Sequence, residues 1–425
     1  MVAFHFPPSV GSSGIQRTLR FVQHLPGHGW DPLVLTAHPR AHPSTANDLM
    51  AEVPSNVPVA RAFALDAGRH LAIAGRYPSV LAVPDRWMTW WLGAVPRGLA
   101  MIRRHRPAVI WSTYPIATAH RIALTLHRLT GIPLVMDFRD PMAQQGYPDE
   151  PRQWRDFSRI ERAAARCASR LVFVTASARR LYRERFAALP EDRFALIENG
   201  YDEESFAAAE QGLEPEPLNP GSFTLLHSGI VYPTERDPRG LFDALSALRR
   251  ANHQGLVRLR LRFRAAGHDA LISRLAVESE VADLIEVLPA IPYIDALREM
   301  LRADGLLVMQ GSNCNEQVPA KLYEYLRASR PVLGLADPAG ETANVMRNAG
   351  IAHIAKLEDG HAVASALGRF LDDSPVASAR RPMSPMLRSM SRRARAHALA
   401  DLLTTAATPP PQPDAVGNRH RGVKP

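Results

Sequence analysis

The stretch 305–334, GLLVMQGSNCNEQVPAKLYEYLRASRPVLG, constrains the fold more than any other part of the chain. Leu306-Leu307-Val308-Met309 is a short apolar run of the kind that forms a strand buried on both faces. A polar loop rich in Gly, Ser and Asn follows, from Gly311 to Asn315. Pro319 stands where a first helical turn tolerates proline, because the missing N–H would have no partner there. Beyond Lys321, Leu322, Tyr325 and Leu326 recur at helical spacing until Pro331 stops the helix. Residues 332–335 read as the next strand. Strand, loop, helix and strand make one unit of a parallel sheet, and ligands of such sheets sit at the carboxyl ends of the strands. The loop and first turn supply unbonded backbone N–H groups, a positive dipole end and Lys321, which together suit a phosphate. Glu316 and Glu324, with seven residues between them, suit sugar hydroxyls, because an ionised carboxylate accepts two at once.

With 425 residues, of which 46% are hydrophobic, the chain fits two domains of about 180 to 200 residues, each with its own core. No apolar run reaches the length of about 18 residues that spans a bilayer. Met1 leads straight into Phe4-His5-Phe6-Pro7-Pro8, so no signal peptide is expected. The two cysteines, Cys167 and Cys314, lie far apart in no ligand pattern, which fits a reducing cytoplasm and argues against zinc or a disulfide framework. Of the net charge of +9, most sits from Arg380 onward, where nine Arg or Lys face two Asp. Such a tail can touch anionic lipid or nucleic acid without specificity, and no motif for specific nucleic-acid binding is present. Lysine occurs only at 321, 356 and 424, so an ammonium at 321 stands out against the abundant arginine.

In chain order, residues 3–8 read as the end of a first strand. The loop Gly11-Ser12-Ser13-Gly14 opens a helix over 15–25, which lets backbone approach a phosphate or sugar closely. It falls short of a full dinucleotide fingerprint, which argues against a nicotinamide cofactor. Residues 33–36 form a second strand, and 41–84 carry no firm pattern. Trp87, Trp90 and Trp91 precede a helix over 95–105 ending in Arg103, Arg104 and Arg106. Aromatics beside cations suit a membrane surface or lipid acceptor, although packing within the domain is the plainer expectation. Strands follow at 108–111 and 134–136. The second leaves through Asp137-Phe138-Arg139-Asp140-Pro141, where Arg139 is expected to hold one or both carboxylates ionised. A helix over 153–168, a strand at 171–174, a helix from 175 and a strand at 194–197 lead to Asn199-Gly200-Tyr201-Asp202, and the Pro, Glu and Gly of 210–221 mark a linker. The second half opens with a strand at 223–229, then a loop with Tyr232, Arg236 and Arg239 before a helix over 240–249; such arginines suit a diphosphate. Strands at 259–263 and 284–288 and a helix over 294–302 complete the alternation. Helices over 360–371 and 392–403 come last, and the proline-rich end from 408 is expected to be disordered.

These features resemble the retaining, family-4 glycosyltransferases of GT-B fold, whose mark is Glu, seven residues, then Glu; Glu316 and Glu324 match it, flanked by Pro-Ala-Lys-Leu-Tyr-Glu-Tyr-Leu. The resemblance implies an α/β fold of two Rossmann-like doubly wound domains facing across a cleft. The acceptor-side domain would span 1–208, the linker 209–221 and the donor domain 222–375. A helix over 388–405 would pack back on the first domain, ahead of a basic tail at 406–425. It implies a nucleotide-sugar donor, with no other cofactor and no metal. Glu316 would face the transferred sugar and Glu324 the ribose. Gly14, Gly229, Arg236, Arg239, Pro319, Ala320, Lys321 and Leu322 would surround the rest of the donor, and Arg139 and Asp140 would stand on the acceptor side. Three positions depart from the family pattern: Ser13 replaces a glycine, Arg139 a histidine and Ile230 an arginine. The acceptor expected is a saccharide or lipid-linked saccharide of surface polysaccharide assembly, handled in the cytoplasm at the inner face of an anionic membrane. A GT-B nucleotide-sugar 2-epimerase and a degenerate sugar-nucleotide-binding protein are the alternatives.

Overall fold

A computed structural model of the chain describes residues 1–10, 13–72, 76–77, 82–144, 146–214, 216–374 and 384–408. Its first lobe runs through α1 (Ser13–His24), β1 (Val34–Ala37), β2 (Val59–Ala62), α2 (Ala67–His70), α3 (Trp90–His105), β3 (Ile110–Thr113), α4 (Ala117–Thr130), β4 (Leu134–Arg139), α5 (Pro151–Cys167), β5 (Arg170–Phe173), α6 (Ala176–Arg185) and β6 (Phe194–Leu196). After α7 (Glu203–Glu210) the second lobe alternates β7 (Phe223–Ser228), α8 (Arg239–Arg250), β8 (Leu259–Arg264), α9 (Asp269–Glu278), β9 (Ile285–Leu288), α10 (Tyr293–Arg302), β10 (Gly305–Gln310), α11 (Ala320–Ala328), β11 (Val332–Ala336), α12 (Glu341–Asn348), β12 (Ile354–Ala355) and α13 (Gly360–Asp373). The last helices are α14 (Pro385–Ser389) and α15 (Arg392–Ala407).

Every pairing between these strands is parallel. In the second lobe the order is β12-β11-β10-β7-β8-β9, so strands 7 and 10 lie side by side at the point where the order reverses. The first lobe has β3-β4-β5-β6 and a separate pair β1-β2. Val2 joins them, bridging Leu35 on one side and Ser112 on the other, with its N–H on the Trp111 carbonyl at 2.7 Å. The first strand anticipated at residues 3–8 is thus reduced to one residue of pairing at its start. β4, β7, β10 and β11 are buried along their whole length, because helices cover both faces of each sheet.

Two sequence expectations are corrected here, and the plainer expectation for the tryptophans, packing within the domain, is met. Trp90 is wholly buried, Trp91 and Trp87 pack against the first lobe's core, and Trp87 Nε1 donates to the Ala41 carbonyl at 2.9 Å. The aromatic cluster therefore belongs to the domain interior, not to a membrane face. β4 runs on through Arg139, so Asp137 and Phe138 are strand residues rather than loop. Residues 406–407 are helical, continuing α15, while 409–425 lie outside the described residues.

The chain crosses between the lobes twice at one place. Tyr201 pairs with Ser391: the Arg392 N–H donates to the Tyr201 carbonyl at 2.8 Å, and the Tyr201 N–H to the Met390 carbonyl at 3.3 Å. Gly200 is required by this approach, since a Cβ there would fall 2.3 Å from the Met390 carbonyl oxygen. Asp202 caps α7 through the Ser205 N–H and binds Arg20 Nε of α1 at 3.0 Å. α7 itself packs into the second lobe's core through Phe206 and Ala209, and Arg327 pairs with its Glu203 and Glu210. α15 lies against the first lobe, with Leu399, Ala400 and Leu403 on Phe21, Leu25 and Trp111. Among the described residues no helix is long and apolar enough to cross a membrane.

Candidate functional site

Between the lobes lies a cavity of about 700 Å³. Its second-lobe wall comes from the carboxyl end of β7 (Gly229, Ile230, Tyr232, Arg236), the start of α10 (Pro292, Tyr293) and the start of α11 (Pro319, Ala320, Lys321, Glu324). Ser9, Ile15, Gln16, Asp48 and Glu52 face it from the first lobe, and Arg392 enters from α15.

α11 begins without a side-chain cap, which leaves its first N–H groups to solvent or a ligand. One turn in, Lys321 Nζ lies 3.1 Å from His227 Nε2, while His227 Nδ1 lies 3.0 Å from the Leu307 carbonyl oxygen. A carbonyl only accepts, so Nδ1 carries the proton and Nε2 presents its lone pair to the ammonium. Burial, and next to it the Lys321 charge, pushes His227 well below the usual histidine range, so the ring is neutral at pH 7. Lys321 is itself pushed well below the usual lysine value, first by burial and then by the Arg236 charge; Glu324 acts in the opposite sense. Gly229, at φ +109°, makes room: a Cβ on it would stand 3.1 Å from Nζ. The loop after β7 is fixed by Arg236 Nη1 on the Ile230 carbonyl (2.9 Å), the Gly311 N–H on the Glu235 carbonyl (2.6 Å) and Asn313 Nδ2 on the Thr234 carbonyl (2.9 Å). Two half-buried cations stand beside this helix start, with a neutral imidazole between lysine and sheet, an arrangement that suits an anion.

Glu324 Oε1 accepts from the Tyr293 hydroxyl at 2.8 Å. Burial raises this carboxyl above its ordinary value, against the Tyr293 hydrogen bond and the charges of Arg392 and Lys321. Glu316 does not line the cavity. It sits at the lobe junction, where its carbonyl accepts from Thr175 Oγ1 of the first lobe at 2.8 Å. Nearby, Glu341 Oε1 accepts from the Ser177 N–H at 2.6 Å and so caps α6 from across the gap.

Of the positions singled out in the sequence, Gly229, Arg236, Pro319, Ala320, Lys321 and Glu324 come together in this wall. Two do not. Arg239 is exposed at the start of α8, 3.4 Å from Asp237, and Leu322 is a core residue with no side-chain exposure. On the first lobe, the Gly14 carbonyl accepts from Thr18 Oγ1, which leaves Ile15 and Gln16 to line the cavity; Gly11 and Ser12 lie outside the described residues.

The Asp-Phe-Arg-Asp segment divides its work. Asp137 takes two bonds from Arg17, at 2.9 and 3.0 Å, deep in the lobe. It is a structural ion pair rather than a reacting group. Arg139, in left-handed backbone geometry (φ 58°), directs Nη1 to the Tyr114 carbonyl. Burial raises Asp140 above the usual carboxylate value, while Arg139 acts in the expected direction, towards the ionised form. Met142 and Ala143, next along, are pinned by their N–H groups to the Tyr182 hydroxyl and Glu161 Oε1.

His227, Tyr293 and Arg392 were not singled out from the sequence. His227 precedes Gly229 at the strand end, and Tyr293 follows Pro292 at a helix start, both places where a cleft residue is expected. Arg392 carries no local signal, since its approach depends on the lobe crossing.

Residues 13–200 match the model of the glycosyl transferase 4-like domain. No curated protein matches the chain. Among solved structures, it is similar to HepE from Anabaena in complex with UDP (14% identity, 94% of this chain and 95% of that one, TM-score 0.58). It is similar also to WaaG, a glycosyltransferase involved in lipopolysaccharide biosynthesis (15% identity, 96% and 98%, TM-score 0.52). A third is the UDP-GlcNAc 2-epimerase of Neisseria meningitidis bound to UDP-GlcNAc (9% identity, 95% and 98%, TM-score 0.55). The fold is therefore GT-B, two Rossmann-like domains, and the first lobe is glycosyl transferase 4-like.

Proposed function

We infer that this chain, GT-B in fold and glycosyl transferase 4-like over its first lobe, moves a sugar from a nucleoside diphosphate to an acceptor with retention of anomeric configuration. One observation carries the reading: Lys321, half-buried beside Arg236 at an uncapped helix start, has a neutral imidazole as its one hydrogen-bond partner among the described residues. A diphosphate supplies the missing negative charge. In the reaction that charge grows as the glycosidic bond breaks, so Lys321, Arg236 and the first N–H groups of α11 bind the leaving group more tightly at the transition state than before it. One such contact is worth on the order of 3 kcal/mol at the barrier, about a hundredfold in rate. Glu324 takes the ribose hydroxyls, and Glu316, at the lobe junction, orients those of the sugar. Arg139 and Asp140 stand on the acceptor side.

HepE, solved with UDP, and WaaG, a glycosyltransferase involved in lipopolysaccharide biosynthesis, support a uridine nucleotide and a lipid-linked saccharide acceptor, used in the cytoplasm at the inner membrane face. The epimerase alternative draws on the likeness to the Neisseria structure.

Thermal unfolding across nucleoside diphosphates and their sugars tests the donor site, because a ligand of the folded state raises the melting point. Glu324→Ala should weaken nucleotide binding about tenfold, the cost of one charge-assisted contact. Glu316→Ala should leave binding intact and slow transfer. No shift with any nucleotide removes the donor-site reading. Donor turnover that yields an isomerised sugar without acceptor replaces the transferase with the epimerase.

A further inference from the structure

The peptide units on either side of Glu316 are held from different lobes. The Asn315 carbonyl, in the unit before it, accepts from the Glu341 N–H at 2.9 Å. The Glu316 carbonyl, in the unit after it, accepts from Thr175 Oγ1 of the first lobe at 2.8 Å. The next carbonyl, of Gln317, accepts from Thr342 Oγ1 at 2.9 Å. Thr175 and Thr342 are both buried. A peptide unit is planar, so fixing the two units that flank a Cα fixes the direction of its Cα–Cβ bond. The Glu316 carboxylate itself makes no hydrogen bond or ion pair among the described residues, so it is left to a ligand while the backbone beneath it is held.

Thr175 is placed by its own helix. It is the N-cap of α6, where its Oγ1 accepts from the Ala178 N–H at 3.2 Å, so the hydroxyl proton is the part given to Glu316. Two residues on, the Ser177 N–H donates to Glu341 Oε1 at 2.6 Å. Glu341 is the first residue of α12. One carboxylate thus stands at the positive ends of two helices, one in each lobe, whose N-termini repel each other without it. Its backbone N–H and its side chain serve the same junction, one holding the Glu316 loop and the other holding α6.

We propose that Glu341 and Thr175 are positioning residues for Glu316. The Glu341 carboxylate links the helix starts of the two lobes, and the Thr175 hydroxyl sets the Glu316 backbone for work on the transferred sugar only while that link is made. The proposal rests on the nucleotide-sugar reading above. It gives α6 of the first lobe a share in the reacting side of the donor site.

The test combines amide hydrogen exchange, calorimetric titration with UDP, and sugar release from UDP-glucose and UDP-N-acetylglucosamine, all on the full chain. Glu341→Ala should speed exchange over residues 175–178 in the first lobe, and Thr175→Val over residues 314–318 in the second. UDP should bind both variants as it binds wild type, because Lys321, Arg236 and Glu324 are untouched. Sugar release should fall about tenfold in each, one hydrogen bond's worth. Thr175→Ser, which keeps the hydroxyl, should restore most of it. Adding Glu341→Ala to Glu316→Ala should cost nothing further, because the first acts through the second. If Thr175→Val fails to fold, Glu341→Gln, which keeps an acceptor without the charge, should show part of the same loss. Exchange changes confined to each variant's own lobe, additive losses in the double variant, or UDP affinity falling together with turnover overturn the proposal. Wild-type protein that binds no nucleotide refutes the donor-site reading instead, and the exchange result then still decides the link between the lobes.

Discussion

Arg17 in the first lobe, buried, and Lys321 in the second, half-buried, are cations near the carboxyl ends of their sheets, and they are treated oppositely. Arg17, 3% exposed, gives Nε and Nη2 to Asp137 and further bonds to the carbonyls of Glu198 and Ile197 at 3.0 and 2.9 Å. Every direction of its fork is used, and the pair locks α1 to β4 and to the chain leaving β6. Lys321 has one neutral nitrogen and a neighbouring guanidinium that repels it. A saturated buried charge holds a scaffold together, whereas an unsatisfied one costs stability unless a ligand completes it.

The largest test of this contrast is Arg17→Met, which strands Asp137 in the interior. It should lower unfolding free energy by about 3–5 kcal/mol in urea titrations, with the slope unchanged. A loss below about 1 kcal/mol would show that this pair is not the scaffold. Lys321→Met should do the reverse. Nucleotide affinity should fall about a hundredfold, while the ligand-free protein stays as stable or gains about 1 kcal/mol from losing an ill-paired charge. Equal destabilisation by both substitutions would erase the distinction. The smallest effect is on pH. Since Lys321 is depressed in the fold and has its usual value of 10.5 in the unfolded chain, the unfolded chain holds the extra proton between those values. Stability there should rise with pH, and Lys321→Met should remove that part of the slope. Matching profiles for wild type and variant would place Lys321 in contact with water or an anion.

The donor segment could be read from sequence because its signals are local. Apolar run, Gly-rich loop, proline at the helix start and two glutamates all fall within 305–334 and fold as one unit. The same logic gave the strand and helix alternation of both lobes. What it could not give depends on long-range closure. Asp137 looks like a cleft carboxylate until Arg17 arrives from 120 residues away. Trp90 looks amphipathic until a core closes over it. Arg236 and Arg239 are equivalent in a string, and only the turn after Tyr232 sends one inward and leaves the other on Asp237. Arg392 enters a site built mostly by another domain, which no local pattern encodes.

The side-by-side passage of residues 199–202 and 390–392 between the lobes has a mechanical consequence. Two hydrogen-bonded threads resist twisting about their common direction but bend easily across it, as a book's spine lets its covers open without sliding. Arg392 sits on that spine, so it keeps its station whether the covers are apart or together. The surfaces that meet on closing are the outer margins, where Glu341 reaches α6 and Thr175 reaches Glu316.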